Sequence, residues 1–270
     1  MRTERRQNNR RSPLQMLVIG IGLCCSVLLL LLLIAAGAQS DSVPAGFRQT
    51  ESGFQNAAKK KMIVTDADRD GLLDVPYLSQ AGTMPTGCEL VSAAMVLQFY
   101  GYDLDAQTFA NTYVKMEPLE WNDGLLVGPS PNDAFVGSPW DSGSFGCYAP
   151  VVAEAMQNVI GSDYMAKITT GTPLDILTTR YINKGKPVLV WVSINMQPTY
   201  SGCTWQLKNC GEPFTWIARE HCMVLVGSDP NGYYLMDPYD DNGLVYYDKA
   251  VVEQRFAELG QQSVVLTERE

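Results

Sequence analysis

Apolar positions follow helical spacing in the middle of the chain and form short continuous runs toward its end. The segment 88–101 is apolar at 90, 91, 94, 95, 97 and 99 and stops at a glycine, which predicts a buried helix. Further helices are predicted at 105–116, 149–160, 173–185 and 249–260. Strands are predicted at 186–194, 221–228, 232–238, 243–248 and 262–268. Because the strands cluster late, we expect an α+β fold rather than a doubly wound α/β fold.

Two long segments, 121–146 and 195–216, show neither pattern and are predicted to be surface loops. They contain Trp140, Trp205 and Trp216, which are candidates for contacting a peptide or glycan substrate beside a cleft. The alternative is that these rings fold back and pack onto the domain.

The N-terminal part has the pattern of a membrane anchor. Residues 14–38 are uncharged over 25 positions, and about 20 helical residues cross a bilayer. Residues 1–13 carry a net charge of +4, which places the N-terminus in the cytoplasm and the rest of the chain outside the cell. The alternative is a cleaved secretory signal ending at Ala36-Gly37-Ala38. We therefore expect a basic tail, an anchor, a linker over 39–71 and a folded domain over 72–268.

The charge of the chain bears on its possible binding partners, and its cysteines bear on the cellular compartment. Beyond residue 13 there are 15 basic and 28 acidic residues, a net charge of -13, which argues against nucleic-acid binding. Cys203 and Cys210 flank a short polar stretch, and in an oxidising compartment we expect a disulfide between them. It would contribute roughly 2–3 kcal/mol to stability.

One acidic stretch, DADRDGLLD, is similar to a calcium-binding loop. Asp66, Asp68, Asp70 and Asp74 take positions 1, 3, 5 and 9, but position 12 is Tyr77 instead of a bidentate glutamate. The alternative is an acidic linker end. We expect no cofactor, with calcium at these four residues as the alternative.

A thiol and an imidazole stand at positions that suit nucleophilic catalysis. Cys88 opens the predicted helix at 88–101, where free N–H groups and the helix dipole favour the thiolate. His221, the only histidine in the chain, begins a predicted buried strand at what would be the rim of the sheet. Each residue also has a purely structural interpretation, a small apolar side chain for Cys88 and a satisfied core histidine for His221.

A carboxylate follows on the next predicted strand. The turn at 229–232 returns the chain so that Asp237 lies near the start of the strand that carries His221, and we expect a hydrogen bond between the two side chains. A thiolate that attacks a carbonyl, an imidazole that moves the proton and a carboxylate that orients the ring form a thiol-hydrolase set. The alternative for Asp237 is an acidic loop that is solvated or binds a cation.

Six stretches together resemble a known family. LDVPYLSQ, PTGCELVSAAMVLQFYG, FVGSPWDSGSFGCYAP, KPVLVWV, HCMVLVGSD and YYLMDPY are similar to the stand-alone relatives of the bacteriocin-leader-processing (double-glycine) peptidases, which are papain-like cysteine peptidases. The resemblance covers residues 72–268. It implies a helical part, an antiparallel sheet and a cleft between them. It also implies Cys88 as nucleophile, His221 as base and acid, Asp237 as the orienting acid and Gln80 as an oxyanion-hole donor.

These observations predict an exported, membrane-anchored cysteine peptidase that cleaves a peptide or amide bond through a thioester on Cys88. Its partners would be a peptide or protein substrate and, through residues 14–38, the cell membrane. A peptidoglycan stem-peptide hydrolase and an acyl or peptidyl transferase would use the same residues and remain alternatives. A non-catalytic peptide-binding domain is a further alternative.

Overall fold

The computed structural model describes residues 62–63 and 71–269 of the chain. Within them the helices are α1 Cys88–Phe99, α2 Ala106–Tyr113, α3 Ala149–Ile160, α4 Leu174–Arg180 and α5 Lys249–Glu258. Single turns of 3₁₀-helix lie at Ile182–Lys184, Ile194–Met196 and Tyr239–Asp241.

The strands of the described part fall into two groups along the chain. The early strands are β1 Met62–Ile63, β2 Met116–Glu117, β3 Glu120–Asn122, β4 Leu125–Gly128, β5 Phe135–Val136 and β6 Tyr164–Ile168. The later strands are β7 Val188–Ser193, β8 Tyr200–Leu207, β9 Pro213–Ala218, β10 Glu220–Ser228, β11 Gly232–Asp237, β12 Gly243–Asp248 and β13 Ser263–Glu268.

Antiparallel pairing assembles the main sheet from five of the later strands together with β1 and β6. Among the described residues it has seven strands in the order β1-β12-β11-β10-β7-β13-β6, and every pairing in it is antiparallel. Strands β7 and β10 lie in the middle of this sheet because both of their faces are apolar. A second sheet has the order β3-β4-β8-β9, and β2 pairs with β5 separately.

Helices cover both faces of the main sheet. Alternate residues of β10 point to opposite sides: Cys222 and Val224 join the core formed with α1 and α3, whereas Met223 and Leu225 join the core formed with α4 and α5. The mixed α+β architecture with an antiparallel sheet is therefore confirmed. The five predicted helices and the five predicted strands are all present, with ends displaced by a few residues.

The prediction that 195–216 is a surface loop is wrong, because most of this segment forms β8 and the start of β9. Strand β8 pairs with β9 through Thr204↔Thr215 and Trp205↔Phe214. Only Trp205 of its eight residues is buried, so β8 lacks the alternation that identifies a half-buried strand. The other predicted loop, 121–146, likewise contains β4 and β5.

The predicted disulfide between Cys203 and Cys210 is also wrong, since both thiols are free and exposed. Cys203 lies within β8, whereas Cys210 lies in the turn where Gly211 N–H donates to Leu207 C=O. Four extended residues separate Cys203 from Leu207, a distance of about 13 Å along the strand. A disulfide needs Cα atoms about 4.4–6.8 Å apart, so the hairpin keeps the thiols from bonding.

The predicted tail, the anchor at 14–38 and nearly all of the linker at 39–71 lie outside the described residues. In the described part, every helix is too short or too polar to cross a bilayer.

Candidate active site

The thiol of Cys88 lies at the beginning of α1. Gly87 precedes it in a tight turn, where a side-chain Cβ would come within 2.9 Å of Met84 Cε. Every residue of α1 from Cys88 to Leu97 is buried, because the helix packs against the centre of the main sheet. The sequence correctly placed Cys88 at a helix N-terminus.

The side chains of His221 and Asp237 meet across the hairpin formed by β10 and β11. Val224 pairs with Met236, and extending this register places Asp237 opposite Met223, diagonal to His221 on the same face. His221 Nε2 lies 2.7 Å from Asp237 Oδ1, so the predicted hydrogen bond is present.

The carboxylate of Asp237 is held by further donors. Its Oδ1 accepts from the backbone N–H of Tyr239 at 3.0 Å, and its Oδ2 accepts from Asn242 Nδ2 at 2.8 Å. Burial opposes ionisation of Asp237, but the charge and hydrogen bond of His221 and these donors outweigh it and lower its pKa. Asp237 is therefore an ionised group that fixes the orientation of the imidazole.

Gln80 is buried beside the loop that leads into α1. Its backbone N–H donates to Pro238 C=O at 3.0 Å, and its side-chain Nε2 donates to Pro85 C=O at 3.0 Å. These bonds connect the segment before α1 to the end of β11, and Gln80 lines the same cavity as Cys88 and His221.

A cavity of about 170 Å³ brings three of the four predicted catalytic residues together. Its walls include Gln80, Cys88 and His221, with Asp237 behind the imidazole. The other lining residues are Pro85, Thr86, Ser144, Phe145, Ile194, Trp216, Arg219, Glu220 and Tyr239. In this part of the structure no hydrogen bond joins the Cys88 thiol to His221. Instead Cys88 Sγ donates to Glu89 Oε2 at 3.3 Å.

Two buried acids at the site, Glu89 and Glu220, were missed by the sequence reasoning. Glu89 Oε1 accepts from the backbone N–H of Cys147 at 2.7 Å, and burial raises the pKa of Glu89 to about 7. Burial, followed by the charge of Glu89, raises the pKa of Glu220 well above its usual value. Each acid is adjacent in sequence to a candidate catalytic residue: Glu89 lies within the predicted buried helix, and Glu220 directly precedes the predicted buried strand. A charged residue inside or next to such a segment was the available signal.

These acids also change the electrostatics of the thiol. Burial, then the charges of Glu89 and Glu220, raise the pKa of Cys88 well above its usual value. The helix N-terminus alone predicts an environment that favours the thiolate, and burial together with the two acids reverses that preference. In this conformation the buried thiol is protonated.

The three candidate tryptophans lie in different surroundings. Trp216 lines the cavity. Trp205 is buried, donates through Nε1 to Pro129 C=O at 2.9 Å and packs on Trp216 with ring centroids 6.5 Å apart. Trp140 is partly exposed and is not part of the cavity wall. A substrate-binding role for Trp205 is therefore wrong, because its ring packs back into the domain.

Two groups of ligand-type side chains bear on metal binding. Asp66, Asp68 and Asp70 of the calcium candidate lie outside the described residues, and Asp74 is exposed, so that prediction stays a prediction. Within the described residues, the group with three ligand atoms close enough to share an ion comprises Cys88, Glu89 and Glu220.

In this structure a helix begins at a buried cysteine, and an antiparallel sheet with a histidine–aspartate pair at its rim follows in the chain. The papain-like cysteine peptidases have this arrangement. The model of the Peptidase_C39 like family matches residues 72–264, and the chain belongs to this family. The resemblance noted from the sequence is thereby confirmed.

Two similar proteins come from bacilli. The chain is 31% identical to the uncharacterized protein YvpB of Bacillus subtilis (strain 168), over 79% of this chain and 87% of that protein. A crystal structure of a candidate C39-like peptidase from Bacillus anthracis is 26% identical and superposes with a TM-score of 0.64, over 78% of this chain and all of that one.

Proposed function

We propose that this protein is a thiol-dependent peptidase that cleaves a peptide or amide bond through a thioester on Cys88. The observation that carries the proposal is the His221–Asp237 pair, 2.7 Å apart, at the same cavity as the thiol. Because Asp237 engages Nε2, Nδ1 is the ring nitrogen left to take the thiol proton.

The reaction begins when Cys88 Sγ turns from Glu89 toward His221. The imidazole takes the proton of the S–H bond, and the thiolate attacks the substrate carbonyl. The imidazolium then protonates the leaving amine as the C–N bond breaks, which leaves the thioester. Water, activated by the neutral imidazole, hydrolyses the thioester and returns the thiol. Such site hydrogen bonds often tighten only when substrate is bound.

Gln80 would supply one donor to the oxyanion. One hydrogen of its side-chain amide goes to Pro85 C=O, and the amide carries a second. Together with the backbone N–H of Cys88, this second hydrogen would bind the negative oxygen of the tetrahedral intermediate.

The export and anchoring of the domain are part of the same proposal. The uncharged segment 14–38 and the arginine-rich residues before it support a single-pass anchor with the domain outside the cell. A peptide or protein outside the membrane would then be the substrate.

The test is digestion of a peptide library by the full chain and by its Cys88→Ala variant, with cleavage sites read by mass spectrometry. We expect a consistent set of cleavages from the parent protein and none from the variant. Cleavage of the same bonds by both proteins, or of none by the parent, would refute the proposal.

A further inference from the structure

Three acidic groups converge beneath the cavity. Cys88 and Glu89 lie in the first turn of α1, and Glu220 is the first residue of β10. The thiol sulfur and one carboxylate oxygen from each acid all lie within 4.8 Å of one another, and all three residues are buried. Among these atoms, Cys88 Sγ and Glu89 Oε2 are 3.3 Å apart.

One carboxylate oxygen of Glu220 lacks a hydrogen-bond partner among the described residues. Glu220 is 93% buried, and its Oε1 makes no hydrogen bond to any described residue. Among the described residues, no lysine or arginine forms an ion pair with Glu89 or Glu220. Since buried carboxyl groups are costly without a partner, an unpaired one beside a second acid and a thiol points to a bound group.

The backbone at positions 146 and 147 approaches the two carboxyl groups closely. The Cys147 N–H fixes Glu89 Oε1 and so leaves Oε2 directed at Cys88. At Gly146 a side-chain Cβ would lie 2.2 Å from Glu89 Oε1 and 3.3 Å from Glu220 Oε2. Any residue other than glycine at this position would therefore press on both acids.

We propose that Cys88, Glu89 and Glu220 bind a zinc ion at the floor of the catalytic cavity. Thiolate sulfur and carboxylate oxygen are both zinc ligands, whereas calcium and magnesium take oxygen alone. Tetrahedral zinc holds such atoms about 3.3–3.5 Å apart. Cys88 Sγ and Glu89 Oε2 already have this spacing, and Glu220 closes the site by a small side-chain movement.

The cavity gives the ion a path to the site. Cys88 and Glu220 both line it, so the metal enters from the substrate side and its fourth position faces the cavity. Binding breaks the S–H bond of Cys88 and the O–H bonds of protonated carboxyl groups and releases those protons to solvent. It also places three negative groups against two positive charges, which accounts for the concentration of acids there.

A consequence of this site rests on the proposed peptidase function. A zinc ion on Cys88 Sγ occupies the electron pair that would attack the substrate carbonyl, so it acts as a reversible inhibitor. The two acids, rather than His221, would set its affinity, because their oxygens lie within 4.8 Å of the thiol sulfur and of one another, and His221 is not a member of this group.

The test is metal binding by the full chain carrying Cys203→Ser and Cys210→Ser, since both thiols are free and exposed and thiolates are metal ligands. After chelator treatment, Co²⁺ is titrated and the sulfur-to-cobalt charge-transfer absorption is recorded, followed by displacement with Zn²⁺. We expect one equivalent of Co²⁺ to saturate the band, and Cys88→Ser to abolish it.

The variants identify the ligands. Glu89→Gln and Glu220→Gln should each weaken metal binding by about tenfold or more. Replacing a residue that merely supports a metal ligand already lowers the affinity about 10–100-fold, so loss of a ligand should cost at least as much. Glu220→Asp, a smaller change, should give an intermediate affinity if the glutamine variant does not fold. Glu154→Gln, an exposed acid on α3, is the matched control and should leave binding unchanged.

Absence of the band, or equal affinity in the glutamine variants and the parent, would overturn the proposal. A band that His221→Ala abolishes and Glu220→Gln retains would overturn it too, because the ligands would then be Cys88 and His221. Binding is read without turnover. Metal binding with no peptide cleavage would therefore refute only the peptidase, and zinc-insensitive cleavage without the band would refute only this site.

Discussion

The thiol of Cys88 has a carboxyl group on one side and an imidazole at the same cavity. In the resting arrangement it donates to Glu89, and catalysis requires it to reach His221 instead. Because the reactive form is the thiolate, the rate of alkylation of Cys88 reports how well its surroundings remove the proton.

We expect His221→Ala to slow the alkylation of Cys88 by iodoacetamide at neutral pH by about tenfold or more, since general bases contribute at least that factor. The rate is measured by mass spectrometry of the peptide that contains Cys88, which separates it from the exposed thiols. Trp140→Phe, a change outside the cavity wall, is the control. Equal rates in the parent protein and the histidine variant would remove the imidazole from the mechanism.

Gln80→Ala should separate turnover from thiol reactivity. Loss of one oxyanion donor lowers turnover by roughly 10²–10³-fold. Alkylation of Cys88 should stay near the parent rate, because no carbonyl oxygen is stabilised in that reaction. Thermal unfolding checks that the loss of the bond to Pro85 leaves the domain folded. A parallel drop in both rates would instead indicate a disturbed helix N-terminus.

The lowered pKa of Asp237 should make the stability of the folded protein depend on pH. Asp237 has this lowered pKa in the folded protein, so it contributes stability that is present above the unfolded pKa of about 3.9 and is lost as the pH falls through the folded value. The parent should therefore unfold at a higher temperature than Asp237→Asn at neutral pH, and the difference should shrink below pH ~4. A difference that is constant across this range would show that the carboxylate charge contributes nothing.

At the scale of elements, the central strands and the first helix could be predicted because burial imposes a pattern. β7 and β10 are apolar on both faces, and the turn before β11 is fixed by Asp229 Oδ1, which accepts from the N–H groups of Asn231 and Gly232. The position of Asp237 near His221 could be predicted from that turn. The pairing β4–β8 joins segments that lie far apart in the chain, and no local pattern predicts it.

The candidate site was predictable only as far as each residue type suggested a chemistry. Cys88 and His221 were recognisable from their positions at the start of a helix and a strand. Gln80 came from the family resemblance alone. Glu89 and Glu220 were missed because acids are expected at the surface, and their contact depends on how α1 packs against the start of β10.

Because Cys203 and Cys210 in the hairpin of β8 and β9 are free thiols, we expect no disulfide between them to contribute to stability. Cys203→Ser with Cys210→Ser should unfold at the parent temperature under oxidising conditions, because strand geometry holds the thiols apart. Intact mass before and after reduction gives a second measurement. A parent protein lighter by two hydrogens, together with a variant that unfolds several degrees earlier, would contradict the free-thiol hairpin.

At the scale of the whole molecule, the acidic domain and the arginine-rich start of the chain carry opposite charge on either side of residues 14–38. If this segment anchors the chain, the protein should sediment with membranes and resist extraction at alkaline pH, and its intact mass should include the first residues. Deletion of 14–38 should release an otherwise unchanged domain. Both alternatives export the domain, and they differ only in whether residues 1–38 remain attached. A mature protein that begins just after Ala38 and is found in the medium would show that the segment is a cleaved signal.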